Sequence, residues 1–279
     1  MGQQFPKPMK YLDKAKASVA YIQSQTEQKA DTLVILGSGL GGFVEILEDC
    51  TTLPYSQIPY FPVSTVEGHS GELILGKVGD KWLWVMNGRF HYYEGYELEE
   101  TVFPLRVLIL IGLKKLIVSN AAGGLNPAYR VGDLMLITDH IDKFPSNALR
   151  GKDSESFGVR FPDMSEPYDL TWRNLAKEKA LTLGINLKEG TYTGVTGPSL
   201  ETKTEIKYYR KIGGDAVGMS TVPEVIAARQ MNIKVLALSV ITNECEPGDN
   251  KTFAHEDVVE VAKKAGERLR KLVELVLMN

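Results

Sequence analysis

The residues with the most chemistry in this chain sit in short, glycine-bounded segments. Gly37-Ser38-Gly39-Leu40-Gly41-Gly42 follows an apolar run, so backbone N–H groups at a helix start, with the Ser38 hydroxyl beside them, can hold a small anion. Asn87-Gly88-Arg89-Phe90-His91 puts a guanidinium and an imidazole two residues apart, on one side of an extended chain. Arg89 offers a planar donor fork for phosphate, and His91 a ring that titrates near neutrality. Gly68-His69-Ser70-Gly71 adds a second histidine in a turn. Ser119-Asn120-Ala121-Ala122-Gly123-Gly124 and Gly218-Met219-Ser220-Thr221 are built of small residues that let the backbone come close to a ligand. Read together, these segments describe an oxyanion site.

The elements that must carry them follow from hydrophobic periodicity. Thr32–Leu36, Leu73–Val78, Trp82–Met86, Lys115–Ser119, Leu134–Thr138, Lys188–Val195 and Val235–Ile241 read as strands, the second and third joined at Gly79-Asp80 as a hairpin. Lys7–Gln28, Thr101–Leu113, Tyr168–Leu183, Thr202–Ile212, Pro223–Met231 and His255–Met278 read as helices, and a helix also fits Phe43, Ile46 and Leu47. Strands alternating with helices define an α/β layer fold with a largely parallel sheet, and its ligand crevice belongs at strand carboxyl ends. The long irregular stretch from Asp139 to Pro167 is of the length that usually serves function. No composition shift marks a linker, so 1–279 is one domain with a helical extension over 1–30.

Composition excludes several classes. The 279 residues carry 32 Lys+Arg against 35 Asp+Glu, a formal charge of −3, with no basic run of the kind nucleic acid requires. At 43% hydrophobic and 24% charged, the chain is an ordinary globular protein. The longest apolar run, Val107 to Leu113, stops at Lys114-Lys115, far short of a membrane span. Two cysteines, Cys50 and Cys245, give neither a disulfide framework nor a zinc site, and the start of the chain lacks a secretory pattern. A cytoplasmic protein with free thiols is expected. His140, between Asp139 and Asp142, has no His or Cys partner nearby, and no metal is expected.

Gly37-x-Gly39-x-x-Gly42 literally matches a dinucleotide fingerprint, which should lead through one helix into a second strand ending in an acid. Instead, Thr51 to Pro62 carries three prolines and no acid, so it is neither that helix nor an ordinary central strand. The dinucleotide reading fails, while the anion-binding physics of the loop survives.

Taken in order, Gly37-Ser38-Gly39-Leu40-Gly41, Gly68-His69-Ser70-Gly71, Gly88 to Tyr96, Asn120 to Gly124, Arg160-Phe161-Pro162-Asp163-Met164-Ser165, Gly197-Pro198-Ser199-Leu200-Glu201-Thr202, Ala216 to Glu224 and Thr242-Asn243 strongly resemble the trimeric purine nucleoside phosphorylases. The resemblance runs from about residue 31 to 270. It implies a single α/β domain whose mixed, mostly parallel sheet tends toward a distorted barrel flanked by helices, in a homotrimer. It implies reversible pentosyl transfer: a 6-oxopurine nucleoside such as inosine or guanosine and phosphate give free base and (deoxy)ribose 1-phosphate, without cofactor or metal. The phosphate positions are then Ser38, His69, Arg89, His91, Ala121 and Ser220. The ribose positions are Tyr93, Met219 and His255, with Phe157 reaching a neighbouring subunit's site. Glu201, Asn243, Val217 and Leu200 meet the base, and Asn243, His91 and Glu201 carry the catalysis.

Two alternatives stand beside this reading. Methylthioadenosine phosphorylases share the fold and the phosphate motifs, and by the resemblance Asn243 and His255 separate this chain from them. A protein that holds nucleoside without turnover would show no phosphate-dependent cleavage. The chain also departs from the family pattern. Leu200 stands where an aromatic is common, and 244–251 is acidic and contains Gly and Pro where the family has a gate. His255 also suits the start of a helix ahead of Glu256 and Asp257.

Overall fold

The computed structural model describes residues 9–38, 41–64, 70–151, 153–246 and 255–279 of the chain. Helix α1 (Tyr11–Gln25) precedes strand β1 (Thr32–Ile35), and β2 (Glu48–Pro54), β3 (Glu72–Val78) and β4 (Lys81–Asn87) form an antiparallel meander. Helices α2 (Leu98–Thr101) and α3 (Phe103–Ile111) lead to β5 (Lys115–Gly124) and β6 (Leu134–Asp142). Then follow α4 (Leu170–Thr182), β7 (Lys188–Gly194), α5 (Lys203–Lys211), β8 (Ala216–Gly218), α6 (Val222–Gln230), β9 (Lys234–Glu244) and α7 (His255–Leu277).

The sheet order is β2-β3-β4-β1-β5-β8-β7-β6-β9, and β9 also pairs with β5. Strands β5, β8, β7, β6 and β9 therefore close into a ring, with β4-β1 and the meander continuing from β5 as an open arm. This is the barrel-like mixed sheet that the family resemblance implies. Parallel pairing exceeds antiparallel only narrowly, because the β5–β8 and β6–β9 contacts that close the ring are antiparallel.

Alternation along the central strands sorts the core into two layers. Leu33, Ile35, Leu116 and Val118 face the side covered by Ala15 and Ile22 of α1, Leu105 and Leu108 of α3, and Val225 of α6. Val34, Ile117, Leu236 and Leu238 face Ala176 and Ala180 of α4 and Ala265, Leu269 and Leu272 of α7. A smaller cluster of Leu125, Val195, Ile206, Tyr209, Val217 and Cys245 lies beneath α5.

Local chemistry sets the element ends. Gly79 takes φ +58° in the β3–β4 turn, where a side chain would be strained. Pro104 sits in the first turn of α3, where its missing N–H has no helical partner to lose. Thr202 caps α5 through a reciprocal box with Glu205, and the Asp169 carboxylate accepts from the Trp172 N–H at the start of α4.

The structure amends several elements of the sequence reading. The helix expected through Phe43 and Ile46 is a 3-10 turn over Gly41–Ile46. The Thr101–Leu113 helix is broken at Val102 into α2 and α3. Glu48–Pro54, left without an element, pairs with β3 as the edge strand that its proline tolerates.

Gly37 shows how tightly the open arm is fastened to the ring. A Cβ there would lie 2.8 Å from both Asn120 Cα and Ser119 O, which are backbone atoms that cannot swing aside. Gly37→Ala is expected to lower stability by about 1–3 kcal/mol, as overpacking does, with a lower thermal midpoint. An unchanged midpoint would show that β1 and β5 are not held in this register.

Candidate active site

Because β4 and β5 both run parallel to β1, and β9 runs parallel to β5, the carboxyl ends of these four strands open on one side. Ser38 follows β1, Arg89 and His91 follow β4, Ala121–Gly124 end β5, and Asn243 lies near the end of β9. Strand β8 is antiparallel to β5 and pairs Val217 with Gly123, so the chain after it returns past Ala121 into the same crevice. A Cβ on Gly218 would lie 3.3 Å from the Ala121 carbonyl oxygen.

Arg89 is the centre of the polar end. Its guanidinium is 2% exposed and donates from Nη1 to Ser220 Oγ (2.6 Å) and Thr221 Oγ1 (3.1 Å), and from Nη2 to the Ser119 carbonyl (2.7 Å). The buried Glu224 carboxylate lies 3.8 Å from Nε. His91 is also buried. Glu94 Oε1 accepts from its backbone N–H at 2.8 Å and lies 2.9 Å from its Nδ1, closing the 3-10 turn Tyr92–Glu94 as a capping box. Burial pushes the His91 pKa below its ordinary value, with Arg89 acting the same way and Glu94 and Glu224 opposing it. Tyr93 stacks on the His91 ring at 4.6 Å, and burial raises its phenol to about 12. Ser38 is half-buried at the mouth of β1.

The neutral end is built over Gly123. Register partners Val217, Gly123 and Asn243 form one row across β8, β5 and β9. A bulge in the β5–β9 pairing, with Ala122 opposite Ile241 but Gly123 opposite Asn243, leaves Thr242 as the extra residue and re-aims Asn243. A Cβ at Gly123 would meet Cys245 Sγ at 2.6 Å, Asn243 Nδ2 at 3.2 Å and Val217 Cγ1 at 3.4 Å, so only glycine lets these side chains converge. Thr242 Oγ1 lies 3.2 Å from Asn243 Oδ1, and Asn243 Nδ2 donates to Cys245 Sγ at 3.5 Å. Burial raises the Glu201 carboxyl, and the Glu205 charge adds to the rise. Burial first and the Glu201 charge next raise the Cys245 thiol to about 12, so it stays protonated and is no nucleophile. Met219 packs against Gly197 and this apolar cluster, whereas Leu200 is 56% exposed and stands outside it.

Of the residues singled out in the sequence, Arg89, His91, Tyr93, Ala121 and Ser220 gather at one end, and Val217, Met219, Asn243 and Glu201 at the other. His69 lies outside the described residues, and His255 is described only as the first residue of α7. Phe157 is 7% exposed, with its ring 5.4 Å from that of Tyr11 and 4.8 Å from the Arg106 guanidinium in its own chain. The aromatic that does project from this segment is Phe161, 86% exposed.

Four participants escaped the sequence reading: Glu94, Asn120, Thr221 and Glu224. The His91-x-x-Glu94 spacing of a capping box was a usable signal for the first. Tyr92 leaves the His91–Tyr93 stack through the 3-10 turn and packs toward Phe144. His140 holds the Tyr168 hydroxyl at 3.0 Å from Nδ1, and among the described residues no group of three potential ligands gathers for a metal.

Around Arg89 the structure thus gathers buried hydrogen-bonding groups, and around Gly123 an amide, a thiol and apolar side chains; comparison with known proteins gives the family. The model of the Phosphorylase superfamily matches residues 31–277. "Purine nucleoside phosphorylase 1" of Bacillus subtilis is 45% identical over 265 residues, covering 95% of this chain and 98% of that protein. The bovine (Bos taurus) purine nucleoside phosphorylase is 46% identical, covering 96% and 94%. Isoform 2 of the Schistosoma mansoni enzyme, solved in complex with cytosine and ribose-1-phosphate, superposes with a TM-score of 0.92 at 38% identity, covering 98% of this chain and 99% of that one. The chain belongs to the phosphorylase superfamily, among the purine nucleoside phosphorylases.

The His91–Glu94 pair generates a pH prediction. With the folded pKa of His91 below its unfolded value near 6.5, the unfolded chain binds more protons between the two. The stability contributed by the neutral ring is complete above about 6.5 and falls as pH drops toward the folded value. Glu94→Gln removes two influences that raise this pKa, so imidazole NMR should show His91 titrating at still lower pH. An unmoved or raised His91 titration would refute the pairing.

Proposed function

We propose that this chain catalyses the reversible phosphorolysis of 6-oxopurine nucleosides, inosine and guanosine among them, to free purine and (deoxy)ribose 1-phosphate. The observation that carries the reading is the adjacency of two unlike half-sites on one strand end. Arg89, Ser220 and the Ala121 backbone lie on one side, and Asn243 and Val217 flank Gly123 on the other.

Cleaving the C1′–N9 bond leaves positive charge on the ribose and negative charge on the purine, as in glycoside hydrolysis. Phosphate held by Ser38, His69, Arg89, His91, Ala121 N–H and Ser220 stabilises the cation and then captures C1′. Holding it in line replaces a bimolecular encounter, an advantage of up to roughly 7–11 kcal/mol for ideal alignment. The buried Arg89 guanidinium supplies the positive charge for the anion, with Glu224 3.8 Å from its Nε, and Glu94 holds the His91 ring through Nδ1 so that a ligand meets the ring at its other nitrogen. Asn243 donates to the purine as negative charge gathers there, and loss of such a donor typically lowers kcat by about 10²–10³. Glu201, ionised when paired, accepts from N1–H of a 6-oxopurine, and facing the unprotonated N1 of adenine it would lose that partner. Tyr93, Met219 and His255 are assigned to the sugar. Leu200, being largely exposed, contributes little to the base in a single chain.

The reaction as proposed needs no cofactor or metal beyond co-substrate phosphate, and no nucleic acid or membrane partner. Among the described residues no helix is long and apolar enough to cross a membrane. Cys50 and Cys245 are both free thiols, which suits a cytoplasmic enzyme. We assign the protein to homotrimers, with the segment that carries Phe157 and the exposed Val159 and Phe161, 59% and 86% exposed, as the subunit contact.

The decisive assay follows inosine with and without phosphate. Hypoxanthine and ribose 1-phosphate should form together and only with phosphate; free ribose formed without phosphate would sink the reading. Asn243→Asp should lower kcat/KM for inosine by about 10²-fold, as loss of a transition-state donor does, and shift preference toward 6-amino substrates. An unchanged inosine-to-adenosine ratio would remove Asn243 from the base site. Light scattering should give three times the 30.9 kDa chain mass, and a monomer would overturn the assembly.

A further inference from the structure

Thr221 is the most constrained polar residue of the site, and no step of the reaction uses it. It is wholly buried, and its backbone sits at φ 73°, ψ −51°, a conformation that β-branched residues avoid. The Val222 N–H donates to the Ser220 carbonyl at 2.8 Å across it, making the rare γ-turn of positive φ immediately before α6. Although it is the N-cap residue, its side chain makes no helix cap. It turns instead into the anion cluster.

Counting donors and lone pairs there gives a polarity. Thr221 Oγ1 has two acceptor sites and one proton. Arg89 Nη1, a donor only, takes one site at 3.1 Å, and Asn120 Nδ2 takes the other at 2.8 Å. The Asn120 amide is directed this way because its other end, buried and without a hydrogen-bond partner among the described residues, is better tolerated as a carbonyl than as an orphaned NH2. The Thr221 proton is left for Ser220 Oγ, 3.3 Å away. Ser220 Oγ already accepts from Arg89 Nη1 at 2.6 Å, so both its acceptor sites are filled. Its own proton is then the one hydrogen-bonding function it has left to offer a ligand.

We propose that Thr221 is a positioning residue that sets the Ser220 hydroxyl as an obligate donor toward the bound phosphate, through the order Asn120 to Thr221 to Ser220. The inference rests on the phosphate-site reading of Ser220. The γ-turn serves it by carrying a side chain that would otherwise cap α6 back under Arg89. A hydroxyl free to rotate would spend part of its time presenting lone pairs to an anion. One locked as a donor does not, and that favours phosphate in both ground and transition states.

The test is steady-state phosphorolysis of inosine at varied inorganic phosphate, with thermal melts alongside. Thr221→Val keeps the branched shape and deletes the hydroxyl, so KM for phosphate should rise about tenfold, as loss of a charge-facing hydrogen bond implies, with KM for inosine little changed. Thr221→Ser restores the hydroxyl and should stay within about threefold of the parent. Thr221→Gly relieves the positive φ while still lacking the hydroxyl. It should melt above Thr221→Val, which keeps the strain and lacks the hydroxyl too, yet repeat the valine phenotype, which keeps the test alive if Thr221→Val folds poorly. In a Ser220→Ala background the valine substitution should add little, since it acts through Ser220. An unchanged phosphate KM in Thr221→Gly, or a full additional effect in the Ser220→Ala background, overturns the proposal. Ser220→Ala leaving phosphate KM unchanged would instead overturn the phosphate-site reading itself.

Discussion

A guanidinium that is 2% exposed must be surrounded by acceptors or it cannot remain charged in place, and at Arg89 those acceptors come from widely separated parts of the chain. The Ser119 carbonyl belongs to β5, Ser220 and Thr221 to the turn after β8, and Glu224 to the first turn of α6. Breaking such a buried arrangement by removing one partner typically costs about 3–5 kcal/mol. The requirement therefore fixes where α6 begins and how it lies against the end of β5. It also explains why a threonine is held at positive φ: a backbone strain of roughly 1–3 kcal/mol is smaller than the cost of an unsatisfied buried cation.

Strand β5 is the member through which this constraint reaches the rest of the fold. It pairs with β1, β8 and β9, so it belongs both to the open arm and to the closed ring. Two glycines do the joining by absence of bulk. Gly37 lets the loop after β1 lie on Ser119 and Asn120, and Gly123 leaves the space in which Val217, Asn243 and Cys245 meet. The bulge at Thr242 belongs to the same device, since without the extra residue the β9 alternation would carry Asn243 to the other face.

Much of this was legible from residues alone, for identifiable reasons. The central strands are apolar on both faces, so Thr32–Ile35 and the start of β5 read as continuous runs. Gly-bounded Ser38, Arg89, His91 and Ser220 stood out because anion chemistry needs those types near small residues. What stayed hidden depends on packing between distant segments. Thr221 and Asn120 look like ordinary turn and strand polar residues until Arg89 is placed beside them. The β8 strand is only three residues long, too short for periodicity. Phe157 and Phe161 stand four apart in one irregular segment, and no pattern there separates the ring that packs on Arg106 from the ring left exposed. The edge strand β2 was obscured by the same prolines that confine it to an edge.

The strand period also gives the site its scale. Ala121 and Gly123 are two residues apart on β5 and so face the same way, separated by about 6–7 Å at the rise of an extended chain. One is crossed by the turn that carries Ser220, and the other is flanked by Asn243 and Val217. A nucleophilic oxygen approaches carbon at about 3–3.5 Å, and the leaving nitrogen departs on the opposite side at a similar distance when the bond is largely broken. On the proposed assignment, an anion above one of these residues and a purine above the other leave room for a single sugar carbon between them. Because the two half-sites are anchored on one strand, neither can drift relative to the other without breaking the ladder that joins β5 to β9. If the proposed half-sites hold, the in-line geometry that phosphorolysis demands is carried by main-chain hydrogen bonds, and the side chains are left to supply charge and selectivity.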